Sequence, residues 1–199
     1  NGDFMRRQVP ETARRLVDVA FSGNGEPTSA PEFADAVARV AEALRRFGLN
    51  VPLRLITNGS LLHRSAVQDG IRRLGEAGGE VWFKLDRATA VEVAAINGVA
   101  WAPEKAARNL ETCAALAPTW VQTCWFALDG QAPDAASLAA YCALLAPLAE
   151  RLAGVHLYGL ARPSQQPAAP RLAALPEAAL REVAASIEKE TGLRVIVSP

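Results

Sequence analysis

Between an apolar run, Leu16 to Ser22, and a longer run of helical period, the sequence places Gly23-Asn24-Gly25-Glu26-Pro27-Thr28. Glycines at such a junction let backbone groups approach a ligand, and a carboxylate among carbonyls supplies the acceptors an ammonium group needs. A glycine turn with Glu26 as the anion at a helix start accounts for the same spacing. A dinucleotide fingerprint is disfavoured, because its third glycine would fall at Thr28 and an acid stands where a pyrophosphate would lie. The next apolar run ends in Thr57-Asn58-Gly59-Ser60, small donors and acceptors suited to sugar hydroxyls, although Asn-Gly is also a common turn pair. In a third run Trp82, Lys84 and Asp86 alternate with Val81, Phe83 and Leu85, so one strand face carries an aromatic ring, a cation and a carboxylate. Lys84 is one of only three lysines in an arginine-rich chain. A lysine inside a strand is either paired, here with Asp86, or functional, and the site role is preferred: Lys84 could bind a carboxylate. Further on, His156 and Tyr158 share a face, followed by Gly159, Leu160, Ala161, Arg162 and Pro163. His156 reads as a satisfied core histidine, since no second ligand stands at metal spacing, and His63 reads as solvent-facing.

Cys113, Cys124 and Cys142 are separated by 11 and 18 positions, which fits no CxxC metal pattern. Buried structural thiols are the expectation.

These residues need elements to hold them, and the pattern alternates short β-rich runs with segments of helical period, the signature of βαβ units. Strands are expected at Leu16–Ser22, Leu53–Thr57, Val81–Asp86, Trp120–Phe126, Val155–Leu160 and Leu193–Ser198. Helices are expected over Pro10–Leu16, over Phe33–Phe47 with a Ser29/Glu32 capping box, around Val67, Ile71 and Leu74, over Pro103–Leu116, from Leu138 to Leu152 with a kink at Pro147, and around Leu180, Val183 and Ile187. Six strands and five crossover helices make an open doubly wound sheet or an incomplete (β/α) barrel; in both, function lies beyond the carboxyl ends of the strands.

With 199 residues, half of them apolar, the chain is expected to form one domain over 1–199. Twenty-one basic residues cancel twenty-one acidic ones, so no global field draws nucleic acid. No apolar run approaches the roughly 20 residues of a membrane span, and the charged start lacks a signal peptide's apolar stretch, which predicts a cytoplasmic protein. The opening in the middle of a helical stretch suggests a truncated start.

Taken together, FSGNGEPT, LITNGSLL, FKLD and VHLYGLARPS resemble the radical S-adenosylmethionine (SAM) iron-sulfur oxidoreductases, over about Val17 to Pro163. The resemblance implies an α/β fold, a partial (β/α) TIM-like barrel of the radical SAM type, with its first strand missing from this chain. It implies SAM as cofactor, with a 4Fe-4S cluster in the intact parent that cleaves SAM reductively to a 5'-deoxyadenosyl radical for hydrogen abstraction from an unidentified small-molecule or macromolecular substrate. An electron donor would be the further partner. By the same resemblance Gly23, Asn24, Gly25, Glu26 and Pro27 would receive the SAM amino group, Thr57 and Asn58 would lie near the cofactor, Lys84 and Asp86 would hold its carboxylate or ribose, and the Leu157–Leu160 backbone with Tyr158 would border the adenine. The family's CxxxCxxC cluster motif is nowhere in the sequence, so the chain itself would hold no cluster and be inactive alone. Two rival readings remain: a cluster-less SAM-binding or interaction module, and a barrel lyase using Lys84 as a Schiff-base nucleophile.

Overall fold

The computed structural model describes residues 2–23, 25–100, 102–160 and 168–198. Asn24 and the Ala161-Arg162-Pro163 stretch lie outside the described residues. Its elements in chain order are α1 (Gly2–Gln8), β1 (Val19–Phe21), α2 (Phe33–Arg46), β2 (Leu53–Thr57), α3 (Ser65–Glu76), β3 (Glu80–Lys84), α4 (Ala90–Asn97), α5 (Pro103–Leu116), β4 (Thr119–Cys124), β5 (Phe126–Leu128), α6 (Ala135–Leu145), β6 (Gly154–Tyr158), β7 (Leu172–Ala174), α7 (Glu177–Thr191) and β8 (Val195–Ser198).

Six strands form one parallel sheet in the order β1-β2-β3-β4-β6-β8, so consecutive strands of the sheet are also spatial neighbours. That sequential order is what a barrel-type winding requires, and it leaves β1 and β8 as edges. Period-two alternation divides the strands into two faces. Leu53, Leu55, Val81, Phe83, Val121, Val155 and Leu157 are buried. They belong to the core on which α2, α3, α5, α6 and α7 pack, each helix against the next. The other face carries Arg54, Ile56, Trp82, Lys84, Trp120, Gln122, His156 and Tyr158, all half-buried. This polar and aromatic face is the one that can meet a ligand.

Several expectations are corrected. No helix runs from Pro10 to Leu16: α1 ends at Gln8, a 3-10 turn covers Glu11–Ala13, and the chain is irregular to Asp18. Pro10 removes a donor and drives Val9 out of the helical region, which stops α1 where it does. The first strand is confined to Val19–Phe21. The Ser29/Glu32 capping box does not form, because Ser29 closes a 3-10 turn from Pro27 and Glu32, the N-cap of α2, makes no side-chain cap bond. The strand expected over Trp120–Phe126 breaks at Trp125, whose N–H turns to the Tyr158 carbonyl at 2.9 Å. β5 then leaves the main sheet and pairs antiparallel with β7. At Pro147 the α6 helix gives way to a 3-10 segment, Ala146–Arg151, the local tightening expected where a ring replaces an amide donor. Among the described residues no helix is long and apolar enough to cross a membrane.

Candidate functional site

The carboxyl end of the sheet opens into a cavity of about 1150 Å3. Its walls include Gly23, Gly25, Glu26, Thr57, Asn58, Lys84, Asp86 and Tyr158, residues contributed by four strands and the loops that follow them. The geometry therefore brings together nearly every residue singled out from the sequence. Pro27 follows Glu26 at the start of its 3-10 turn.

Glu26 is tied down on both sides. Its Oε1 accepts from the Thr28 amide at 3.2 Å, the Thr28 hydroxyl at 2.6 Å and the Thr57 hydroxyl at 2.6 Å. Its Oε2 accepts from the Asn58 amide at 2.8 Å. One carboxylate thus joins the loop after β1 to the end of β2. All four donors are neutral, and no cation pairs with Glu26 among the described residues, so a negative charge with spare acceptor capacity on Oε2 remains at the cavity wall. Gly23 (φ 144°) and Gly25 (φ 159°) precede it in the loop, in a region that side-chain-bearing residues rarely adopt. Thr57 also accepts from the Gly59 amide at 3.0 Å, and the Gly59 carbonyl accepts from Asn109 of α5 at 3.0 Å, which fixes the second loop against the helix layer.

Lys84 does not present a free ammonium. Its Nζ lies 3.0 and 2.9 Å from the two Asp86 carboxylate oxygens and 2.9 Å from the Tyr158 hydroxyl. Three donors are satisfied by three acceptors, so Lys84 is not available to bind a ligand carboxylate by itself. Burial is the largest single influence and works against its charge, but Asp86 and Tyr158 outweigh it and hold the ammonium above the ordinary lysine range. A Schiff-base nucleophile needs the reverse, a lysine brought down toward neutrality, and this network removes the physical basis of the lyase reading. Burial raises the Tyr158 phenol, with Lys84 pulling the other way. Asp86 Oδ1 also accepts from the Cys124 amide at 2.8 Å, which orients the carboxylate from β4. What Lys84 leaves exposed to a ligand is the Asp86 Oδ2 lone pair and the phenolic proton of Tyr158, an acceptor beside a donor of the kind that suits neighbouring hydroxyls.

Sequence reading missed Arg87, which is only 4% exposed. Its guanidinium donates to the carbonyls of Asp86 at 2.6 Å, Cys124 at 3.1 Å and Phe126 at 3.0 Å, and lies 4.7 Å from the ring centres of both Trp125 and Phe126. Burial lowers its pKa against the pull of Asp86 and Glu92. Arg87 fastens the segment after β3 to the break between β4 and β5 and thereby supports Asp86. Gln122, Lys105 and Asn109 also line the cavity and were not singled out. The Arg-rich composition and the distance between partners left no local spacing to read.

The remaining candidates lie elsewhere. His156 stacks between Trp82 (4.4 Å) and Trp120 (4.5 Å), half-buried, and burial lowers its pKa. His63 is exposed. Cys113, Cys124 and Cys142 are free and buried on α5, β4 and α6. Burial raises all three thiols, Cys113 to about 12 and Cys124 to about 11. Thiols held protonated on three separate elements do not fit a cluster, which needs thiolates converging from one loop, and no group of metal-ligating side chains is found among the described residues.

The sequence matches no family model and no curated protein. Solved structures do match. A domain of pyruvate-formate lyase-activating enzyme from Bacteroides vulgatus superposes with a TM-score of 0.60 at 16% identity, over 92% of this chain and 100% of that one. A radical SAM methyltransferase from Sphaerobacter thermophilus superposes with a TM-score of 0.65 at 16% identity, over 96% of this chain and 53% of that one. At such identity the likeness is one of fold. The chain has the partial (β/α) barrel fold of the radical SAM type, as its motifs led one to expect.

Proposed function

We propose that this chain is the SAM-binding core of a radical SAM enzyme, whose overall reaction is reductive cleavage of SAM to a 5'-deoxyadenosyl radical and hydrogen abstraction from a substrate. The observation that carries the reading is the Glu26 carboxylate, charged, without a cationic partner among the described residues, and fixed at the cavity wall by four neutral donors. Such a group is completed by an ammonium, and the methionine end of SAM carries one. The described residues do not hold the 4Fe-4S cluster, so this chain's own part is to bind and orient. Glu26 and the carbonyls of its glycine loop take the amino group; Asp86 and Tyr158, held by Lys84, take hydroxyls of the ribose; the Tyr158 backbone borders the adenine. The cluster and the electron donor belong to the proposed reaction and not to any residue described. A chain that binds SAM without cluster chemistry is the second reading, favoured by the placement of the three thiols.

Calorimetric titration with SAM tests the proposal. Wild type should bind, and Glu26→Ala should weaken binding by about 10- to 100-fold, the ~1.5–3 kcal/mol of a charge-assisted hydrogen bond. Because the alanine also strands the Thr28, Thr57 and Asn58 donors, Glu26→Gln serves as the milder variant, and it should lose affinity for SAM while retaining more of the fold. Equal affinity in all three proteins would remove Glu26 from the site.

A further inference from the structure

At about 1150 Å3 the cavity is larger than the ~300–1,000 Å3 typical of a single small-molecule site. Apart from the wall assigned to SAM, it reaches Gln122 of β4 on the open face of the sheet. The Gln122 carboxamide makes no hydrogen bond to another described residue, and its backbone is in register with Lys84 on one side and His156 on the other. Two positions earlier on the same faces of β3 and β4 stand Trp82 and Trp120. Their rings are already covered: Arg54 lies 4.7 Å over Trp82, His156 lies against both indoles, and Arg194 lies 6.0 Å from the Trp120 ring centre. The indoles are therefore a closed floor toward the amino end of the strands and not a stacking platform.

On the strand face that carries Gln122 the cavity-lining charges are paired, whereas Glu26, on the loop after β1, and Lys105, on α5, line the cavity from other elements without an ion partner among the described residues, and Arg194 does not line it. Lys84 is paired with Asp86, and Arg54 with Asp18 and Glu80. Burial lowers the His156 pKa and so disfavours its charge, with the nearby Arg54 and Arg194 acting in the same direction against Glu80. A carboxylate or ammonium seated on this sheet face at Gln122 would lose water without gaining a free counter-ion from the strands that form it. Gln122 offers one acceptor and a donor in one plane, a pair that a planar amide satisfies at once through its own N–H and C=O.

We infer that Gln122 is the specificity-determining residue of a second subsite in this cavity, one that takes an uncharged carboxamide of a small-molecule substrate and rejects charged groups. Calling the ligand a substrate rests on the SAM reading above; the subsite itself does not. The test needs neither SAM nor cluster. His156 and His63 are the chain's two histidines, and only His156 lies between indoles, so its imidazole NMR signal is a separate, ring-current-shifted reporter. Titrating the full chain with benzamide should move the His156 signal saturably and leave His63 in place. Benzoate and benzylamine should move the His156 signal with at least tenfold weaker affinity, any benzylamine held at Glu26 leaving that signal in place. Gln122→Leu should abolish the benzamide response while the His156 signal keeps its unusual position, which certifies the fold; Gln122→Glu should turn the preference toward benzylamine. No benzamide response at tens of millimolar, an equal response to benzoate, or a response surviving in Gln122→Leu overturns the inference. SAM titrations run in parallel separate the two ideas: SAM binding without a benzamide response sinks the subsite alone, and a benzamide response without SAM binding sinks the SAM reading alone.

Discussion

The Cys113 sulfur is fully enclosed, and the Thr119 hydroxyl lies 3.7 Å from it. Burial pushes that thiol up to about 12 and the Cys124 thiol up to about 11, whereas in the unfolded chain each returns to about 8.5. A group whose folded pKa is raised contributes stability that is fully present below the unfolded value and is lost as pH rises through the folded one. The Lys84 ammonium, also raised, acts in the same direction at still higher pH. Thermal melts should therefore show Tm nearly constant between about pH 7 and pH 8.5 and falling beyond it. Cys113→Ala should make the fall shallower, and a flat profile to pH 11 would contradict the burial argument. The same scale explains what could be read beforehand. Glu26, Lys84 and Asp86 stood out because acidic and basic types are conspicuous at the ends of apolar runs. The structure then gave Lys84 the Asp86 partner that the sequence had also offered. Arg87 was invisible because its partners Cys124 and Phe126 lie 37 and 39 positions away, where no periodicity reports them.

An element's boundaries carry the site into place, and the turn after β2 shows how tightly. Gly59 sits at φ 69°, and a Cβ there would come within 2.3 Å of the Phe83 ring on β3. Gly59→Ala meets two penalties, roughly 1–2 kcal/mol for the left-handed backbone and ~1–3 kcal/mol for overpacking a filled core. Urea unfolding should show a loss of at least about 2 kcal/mol, and because the turn presents Thr57 and Asn58 to the cavity, SAM affinity should fall as well. A stability change within ~0.5 kcal/mol would mean that Phe83 moves aside without cost. The elements themselves were largely legible. β2 and α5 begin and end where the pattern placed them, because Leu53 and Leu55 alternate cleanly and Pro103 marks a first helical turn. α4 was not foreseen: Ala90–Asn97 is apolar nearly all round and rich in β-branched residues, with Val91 80% exposed, so no 3.6-residue stripe appears. Its Thr89 cap, accepting from the Glu92 amide at 3.3 Å, and Gly98 at φ 65° were the available signals. β5 and β7 were lost for another reason, since three-residue strands that pair across 46 positions leave no local signature.

At the scale of the molecule the sheet has two unequal edges. On β8 the Val195 amide is already taken by the Glu188 carboxylate at 3.0 Å, a contact from α7 that blunts that side. Among the described residues β1 has no such cover: Val19–Phe21 pairs there only with β2, and just before it Leu16 and Val17 are 50% and 61% exposed, with Phe4 of α1 at 60%. Unpaired strand amides beside an apolar surface are a template for another strand, in this molecule or in a second copy. The short length of β1 limits the strength of any such pairing, so the association should be concentration-dependent and reversible, not a precipitation. Sedimentation equilibrium should show the weight-average mass rising between about 10 and 200 μM for the wild-type chain, the range in which an interface of this modest size would act. Replacing Leu16 and Val17 by lysine removes the apolar margin and sets charge along the edge, the device natural edge strands use, without touching a buried residue or the cavity wall. That double variant should stay at monomer mass over the whole range and keep the wild-type Tm, because both side chains already face water. A wild-type chain that is monomeric at the highest concentration would show that the margin of β1 is inert and that the exposed residues before it are ordinary surface.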